Sequence, residues 1–174
     1  MPVSEQDRRL IIFLLGSATF LFIGTTHGVV QSLPGIRDWL VSVGTPVSGP
    51  GHMIDPLAHA HINLVGGVVL IGMAMTYYLF PRITGMEMWS AKMITHSFWW
   101  IACGVVGFYC TLMVFGITEG RMMRAGLLEE QAAFHSYYGP SISVSAIIMT
   151  VGFMMFFINV FNTARRAFAS QNNA

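Results

Sequence analysis

Four long apolar segments, none of which contains Asp, Glu, Lys or Arg, constrain this chain more than any other feature. They cover residues 10–30, 57–80, 93–117 and 142–160, and each is long enough to cross about 30 Å of hydrocarbon as a helix. Charged residues make up only 10% of the sequence, against about 25% in a typical soluble domain. The chain is therefore predicted to be all-α, a single membrane domain over residues 1–174 folded as an integral membrane four-helix bundle.

The basic residues indicate the orientation of this bundle. Six of them fall on one side of a four-helix topology and three on the other: the first group is Arg8, Arg9, Arg82, Lys92, Arg165 and Arg166, and the second is Arg37, Arg121 and Arg124. By the positive-inside rule both termini are predicted to be cytoplasmic. The net charge of +1, without a basic cluster, argues against a nucleic-acid partner, and membrane lipid is the expected environment.

Two histidines, His59 and His61, stand at the outer end of the second apolar segment. An imidazole in hydrocarbon needs a hydrogen bond, an opposite charge or a metal, which makes it a candidate functional group. Positions i and i+2 point to nearly opposite sides of a helix, because successive residues are about 100° apart. This spacing disfavours zinc, which usually takes ligands at i and i+4, and suits axial ligands to haem. Ordinary hydrogen bonding to water and a backbone carbonyl is an equal alternative.

Three more histidines fall at the same outer level: His27 ends the first segment, and His52 and His135 lie in loops. Each of these alone is interpreted as a hydrogen-bonded or solvated side chain, but five histidines at one depth favour a cofactor in the outer leaflet. Gly66 and Gly67 follow in the second segment and would let a flat ring or a neighbouring helix approach closely, with helix packing at least as good an explanation.

Three smaller expectations concern the rest of the chain. The prolines and glycines of residues 31–56 exclude a long regular helix there. Residues 121–134 are predicted to form a short amphipathic surface helix. Cys103 and Cys110 are predicted to be buried packing thiols, and the absence of a Cys-x-x-Cys-His motif excludes covalent c-type haem.

Several motifs after His52 occur in a recognisable order. They are Ala58-His59-Ala60-His61, Tyr77-Tyr78-Leu79-Phe80-Pro81-Arg82, Thr95-His96-Ser97-Phe98-Trp99, Gly116-Ile117-Thr118-Glu119-Gly120 and His135-Ser136-Tyr137-Tyr138. This order resembles the last third of the haem-copper oxidase subunit I superfamily, in particular the catalytic chain of cbb-type cytochrome c oxidases and nitric oxide reductases. The resemblance implies one four-helix arc of that fold, its last four helices. It also implies that His59 ligates a high-spin haem and His61 a low-spin haem.

The same resemblance implies missing ligands, because the family's other haem ligand and its copper or non-haem iron ligands lie on earlier helices. One expected partner is a second copy of the chain, in a homo-oligomer such as a trimer where His61 of one copy and His59 of its neighbour hold a haem b. Other respiratory subunits that supply the missing helices are an equal alternative. His27 is the first alternative ligand within one chain.

These observations lead to three hypotheses about function. The first is a membrane b-type cytochrome that relays electrons near the periplasmic face of a respiratory assembly, with cytochrome c or another periplasmic carrier as its partner. The second is a component of a terminal oxidase or nitric oxide reductase with an open haem site, an oxidoreductase that one chain does not complete. The third is a haem-free scaffold or assembly subunit. All three place the chain as a multi-pass protein of a bacterial or archaeal cytoplasmic membrane.

Overall fold

The computed structural model describes residues 5–171, and that range contains helices and no strand. The helices are α1 (Glu5–Ser32), α2 (Pro34–Ser42), α3 (Gly49–Thr84), α4 (Ala91–Ala125), α5 (Leu128–His135) and α6 (Tyr138–Gln171). Four stretches of this described part are long and apolar enough to cross a membrane: α1, α3, α4, and α6 together with the short α5 before it. The prediction of an all-α membrane four-helix bundle is confirmed.

The first helix, α1, packs lengthwise on α3. Its buried positions recur every three or four residues and include Phe13, Ser17, Phe20 and Gly24, the spacing that places side chains on one helical face. A Cβ atom at Gly24 would lie 2.3 Å from the Asn63 side chain of α3. The two helices can therefore approach this closely only because residue 24 has no side chain.

A second close contact joins α4 to α6. A Cβ atom at Gly104 would lie 2.7 Å from the backbone nitrogen of Met149, and one at Gly152 would lie 2.6 Å from the Ile101 side chain. Small residues are typical where membrane helices pack backbone to backbone. This contact holds the second half of the bundle together.

The turn between α3 and α4 is fixed by a glycine and by side-chain hydrogen bonds. Gly85 ends α3 in the left-handed region at φ +69°, where glycine is favoured. The Ser90 hydroxyl caps α4 by accepting a hydrogen bond from the Met93 amide. Asn159 of α6 accepts from the Ser90 amide at 2.9 Å and donates to the Ser90 carbonyl at 3.0 Å, so these hydrogen bonds join the start of α4 to α6.

One face of α3 is not covered by any other described helix. It carries Leu64, Val68, Ile71 and Met75, which are between 40% and 57% exposed. Their spacing of three and four residues continues from His61, which is half-buried. The outward face of α3 is therefore an apolar stripe that begins next to a histidine.

Two of the smaller expectations from the sequence are wrong. Residues 121–134 do not form one surface helix, because α4 continues to Ala125, the chain turns at Gly126 with φ +75°, and α5 begins at Leu128. Cys103 and Cys110 are exposed in the isolated chain rather than buried, because they lie on the side of α4 that faces neither α3 nor α6. Residues 31–56 do lack a long regular helix, as expected, and hold the last two residues of α1, the nine-residue α2 and the start of α3.

A matched pair of glycine variants tests the α4–α6 contact. In Gly104→Ala, the new methyl group meets the Met149 backbone and should lower the free energy of unfolding by about 1–3 kcal/mol. In Gly72→Ala, nothing lies within 4 Å of the new methyl group, and replacing a helical glycine should raise stability by about 0.5–1 kcal/mol. Thermal unfolding of both variants in detergent measures the difference, and equal stabilities would contradict the packing described here.

Candidate functional site

The histidine pair lies just after an interruption in α3. Asp55 has φ −131° and ψ 111°, outside the helical region, as expected for a residue that precedes a proline, here Pro56. The α-helical turn His59–His61 follows between two π-helical segments, Met53–Ala58 and Ile62–Val69. Short π-helical stretches are frequently found at functional sites. The local sequence therefore produces an irregular helix at the level where the histidines lie.

His59 points toward α1. Its Nδ1 lies 2.8 Å from Nε2 of the Gln31 amide, and its ring is 5.7 Å, centroid to centroid, from the ring of His27. The far edge of the His59 ring rests on the α1 backbone, because a Cβ atom at Gly28 would be 3.0 Å from both Cε1 and Nε2. His59 is thus half-buried, with one edge of its ring against the chain's own first helix.

A chain of polar groups extends from His59 to the surface. The buried Gln31 amide nitrogen also lies 3.2 Å from Oδ1 of Asp55. The other carboxylate oxygen of Asp55 accepts a hydrogen bond from the Arg37 guanidinium at 2.9 Å, in an ion pair at the edge of the protein. The interruption at Asp55 is what brings its carboxylate to Gln31 and Arg37.

His27 is the third member of this group. It is 9% exposed, and its Nδ1 lies 3.3 Å from the hydroxyl of Tyr109 on α4, with the two rings edge to face at 5.7 Å. His27 therefore contacts both α3 and α4. The structure brings His27 and His59 together, although 31 residues separate them along the chain.

His61 points away from this group, toward α4 and the outside. Its Nδ1 lies 2.8 Å from the carbonyl oxygen of Leu57, one turn earlier. Because a carbonyl only accepts, Nδ1 must carry the proton, and the lone pair of the neutral ring is on Nε2. The ring packs on Phe108 at 4.6 Å, tilted by 31°. The predicted divergence of the two histidines matches this geometry.

Two cavities flank this end of the bundle. One, of 560 Å³, lies among α1, α2 and α4 and is mostly apolar, with His27, Gln31 and Arg121 among its lining residues. The other, of 620 Å³, lies among α3, α5 and α6 and is lined by His52, Glu119 and His135 among others. Both volumes lie within the roughly 300–1,000 Å³ usual for ligand sites. Neither cavity is lined by His59 or His61.

The second cavity contains a hydrogen-bonded pair, Glu119 and His135, that the sequence did not predict. Glu119 is only 2% exposed, and its two carboxylate oxygens lie 2.9 and 3.1 Å from Nδ1 of His135. The His135 ring also stacks on Tyr138 at 5.4 Å. His52 lies in the same cavity with its Nδ1 bonded to the Pro46 carbonyl. His52 and His135 are therefore paired with the chain's own acceptors, as their individual interpretation expected.

The remaining predicted site residues, Gly66 and Gly67, pack against α1. A Cβ atom at Gly66 would lie 2.7 Å from the Phe20 ring, and one at Gly67 would lie 2.5 Å from the Leu21 side chain. The Ser17 hydroxyl donates to the Gly67 carbonyl at 2.8 Å. A neighbouring helix therefore occupies the space that these glycines leave, and their contact with a haem ring stays a prediction.

Sequence reasoning missed three residues of this region. Gln31 lies four residues after His27 and so shares its face of α1, a signal that could have identified it. Asp55 was visible as the residue before Pro56, but not as a partner of Gln31. Nothing in the sequence marked Glu119 as buried, because its hydrogen bond with His135 spans 16 positions and depends on the turn at Gly126.

The donor set limits the kind of metal that this region can hold. Across residues 5–171 no cluster of three or more His, Cys, Asp or Glu side chains is arranged to hold a bare metal ion. Haem iron differs, because the porphyrin supplies four ligands and the protein only one or two axial ones. A histidine that donates through one nitrogen to a backbone carbonyl and has the other nitrogen free is the usual arrangement of a metal-bound imidazole. His61 fits that arrangement.

Comparison with known proteins identifies the family of this chain. The family model described as Cytochrome C and Quinol oxidase polypeptide I matches residues 7–147. The chain is 31% identical over 121 residues to a cytochrome c oxidase subunit 1 homolog of Azorhizobium caulinodans, covering 64% of this chain and 22% of that protein. It is 27% identical over 118 residues to the Cbb3-type cytochrome c oxidase subunit CcoN1 of Stutzerimonas stutzeri, covering 67% and 23%.

A third relative, cytochrome c oxidase subunit 1 of Rhodobacter capsulatus, is 31% identical over 107 residues, which are 52% of this chain and 20% of that protein. The chain therefore spans only 20% to 23% of the length of these three relatives. Its four long helices and its bacterial relatives support a multi-pass protein of a bacterial inner membrane. The family match covers most of the sequence, and the chain belongs to the cytochrome c and quinol oxidase polypeptide I family, as a subunit related to the respiratory oxidases.

Proposed function

We propose that this chain is a membrane b-type cytochrome that relays single electrons near the periplasmic face of a respiratory assembly. In this proposal His61 is an axial ligand of a haem b, and His59 of a neighbouring copy is the other. His27 is the alternative second ligand within one chain. Family membership supports a role in respiratory electron transport, and the finer assignment rests on the geometry of the histidines.

The observation that carries the proposal is the environment of His61. The Leu57 carbonyl fixes the proton on Nδ1, so Nε2 can donate its lone pair to iron. Below His61, the exposed stripe of Leu64, Val68, Ile71 and Met75 offers a flat apolar surface. A porphyrin is a large apolar ring, and this stripe would bury one face of it. A haem site needs a histidine ligand beside an apolar surface, and His61 with this stripe would provide both.

The surface position of His61 supports a site between copies. His59 lies against α1, whereas His61 borders the uncovered face of α3. In a ring of copies such as a trimer, each His61 would face a neighbouring copy. His59 of that neighbour would have to leave α1 to reach the same iron. Other respiratory subunits packed on the same face would satisfy the missing ligand equally.

The residues of this chain would perform separate tasks in electron relay. When bound, a haem b supplies a one-electron iron couple. His61 would hold the iron, the Leu57 carbonyl would orient the imidazole, and the apolar stripe would exclude water from the ring. With histidines on both faces no position remains for a small ligand, which favours electron transfer over substrate binding.

A haem with one open position is the second candidate function. It is favoured by the names of the relatives, which are oxidase subunits, and by the hydrogen bond that the Nδ1 atom of His59 makes with Gln31. A protein with one histidine ligand would bind oxygen or nitric oxide and would belong to an oxidoreductase.

Haem content tests the ligand assignment. Purified wild-type chain should give a positive pyridine haemochrome assay for haem b. In His61→Ala the haem content should fall by more than the roughly 10-fold that loss of an outer partner of a metal ligand causes, and His59→Ala should also lose haem. His96→Ala is the control, because His96 is exposed and follows the turn tied by Asn159, at the opposite end of the bundle. Unchanged spectra in both histidine variants would exclude this site.

Carbon monoxide separates the two candidate functions. A reduced haem with two histidine ligands should show no large shift of its Soret band on addition of carbon monoxide, because both axial positions are filled. A large shift would show an open position and would favour the oxidase or nitric oxide reductase component. The same purified sample serves both assays.

A mixing experiment tests whether the site lies between copies. Chains carrying His61→Ala and chains carrying His59→Ala are co-expressed with different affinity tags and purified through both tags. In a trimer with intersubunit sites, purification through both tags leaves only mixed rings, and these should retain about one third of the wild-type haem, because one of the three interfaces pairs an unaltered His61 with an unaltered His59. No haem in the mixed oligomer, together with haem in the wild type, would contradict the intersubunit scheme.

A further inference from the structure

We propose that Gln31 determines which nitrogen of His59 carries the proton. Asp55 and Arg37 fix Gln31 in the orientation that places this proton on Nε2, the nitrogen that would otherwise bind iron. The inference rests on the proposed function only in treating His59 as an iron ligand. The proton position itself is a property of the haem-free chain. Gln31 is therefore a positioning residue, which acts on a cofactor through His59.

The first step concerns the ion pair at the outer end of this polar chain. Arg37 donates to Oδ2 of Asp55 at 2.9 Å, and a carboxylate held by a guanidinium only accepts hydrogen bonds. The atom of Gln31 that faces Oδ1 of Asp55 at 3.2 Å must therefore be the NH₂ nitrogen. The opposite amide orientation would place two acceptor oxygens against each other.

The second step carries this constraint to the imidazole. The same Gln31 nitrogen lies 2.8 Å from Nδ1 of His59. An NH₂ group has two protons and no lone pair to offer, so Nδ1 must be the acceptor. A neutral imidazole with an acceptor at Nδ1 carries its proton on Nε2. His59 thus has the opposite proton arrangement to His61, whose Nδ1 donates to the Leu57 carbonyl.

The Gln31 oxygen shows how strongly this orientation is favoured. Oε1 is buried and has no hydrogen-bond partner among the described residues, which is unfavourable for a carbonyl oxygen. The amide is therefore held by its nitrogen, through Asp55 and His59, at the expense of its oxygen. The two contacts of the nitrogen therefore outweigh the missing hydrogen bond of the oxygen.

The position of the His59 ring also disfavours iron ligation through Nε2. Its Nε2 edge rests on α1 at Gly28, where a Cβ atom would be 3.0 Å away. Iron ligation through Nε2 would need that edge to leave α1 and the proton to move to Nδ1. The second change requires the Gln31 nitrogen to give way at Nδ1, because an NH₂ group cannot accept a hydrogen bond from a protonated Nδ1. His59 would therefore bind iron only after the contact between Nδ1 and the Gln31 nitrogen is broken.

The test exchanges the acid and the amide. In the double variant Gln31→Glu/Asp55→Asn, the net charge is unchanged and every hydrogen bond between the exchanged side chains and His59 is reversed. The residue at 31 becomes an acceptor, so the proton of His59 should move to Nδ1. Nitrogen-15 NMR of the haem-free full chain, labelled at histidine and reconstituted in lipid, distinguishes the two proton positions, and loss of a signal in His59→Ala assigns it.

Wild-type protein should show His59 protonated at Nε2 and the double variant at Nδ1. His61 is the internal control, because its Leu57 carbonyl is untouched and its proton should remain on Nδ1 in both proteins. A wild-type His59 protonated at Nδ1, or a His59 unchanged by the exchange while His61 shows a folded chain, would overturn the inference. The protein carries no haem in this experiment, so the NMR result does not depend on the haemochrome assay. The haemochrome assay tests the proposed function separately.

The same variant gives a second measurement after haem loading. With its proton on Nδ1 bound to a carboxylate, His59 becomes a better iron ligand, since a carboxylate partner raises the basicity of an imidazole. The double variant should therefore bind haem more tightly than wild type, and the midpoint potential should be lower. Glu130→Gln/Gln131→Glu is the matched control, because both residues lie on α5 and this exchange also leaves the net charge unchanged. An equal change in that control would show a general effect of exchanging an acid and an amide and would count against Gln31.

Discussion

The outer end of this bundle depends on the close approach of α1 to α3. In the bilayer interior a polar group without a partner is costly, so the imidazoles, the amide and the carboxylate there must find one another. They can do so because Gly24 and Gly28 leave space for Asn63 and His59 at the α1 surface. A side chain at either glycine would separate the helices and leave His59 and Gln31 without each other. The hydrogen bonds at this end therefore depend on the backbone packing of α1 against α3.

That contact makes the two histidines of α3 chemically different. His59 is tied through Gln31 and Asp55 to Arg37 at the surface, while His61 is bonded only to the carbonyl of its own helix one turn earlier. The first imidazole is part of the internal hydrogen-bond network, and the second has a free nitrogen beside an uncovered apolar face. A spacing of two residues therefore places one histidine against the chain's own first helix and the other beside the uncovered face of α3.

The sequence predicts the elements and the divergence of the pair, but not the partners of each residue. Uncharged apolar segments predict the four long helices because the bilayer fixes their length, and helical geometry predicts that His59 and His61 point apart. The contact between Gln31 and His59 requires the register of α1 on α3, which no local pattern specifies. Glu119 and His135 meet only because Gly126 ends α4 where it does. The prediction that Cys103 and Cys110 are buried was wrong for the same reason, because tertiary packing decides which face of a helix is covered.

The isolated chain leaves most of its helix surface uncovered, and this surface is not uniform. Only 22% to 39% of the residues in the four membrane-spanning windows are buried within the chain. Lipid can cover Phe157 and Phe161 on α6, which are exposed and purely apolar. Acyl chains offer no hydrogen-bond partner to the Nε2 atom of His61, which stands at the end of the uncovered face of α3. This face therefore differs from that of α6 in ending at a polar group, and the proposed haem is placed beside it for that reason.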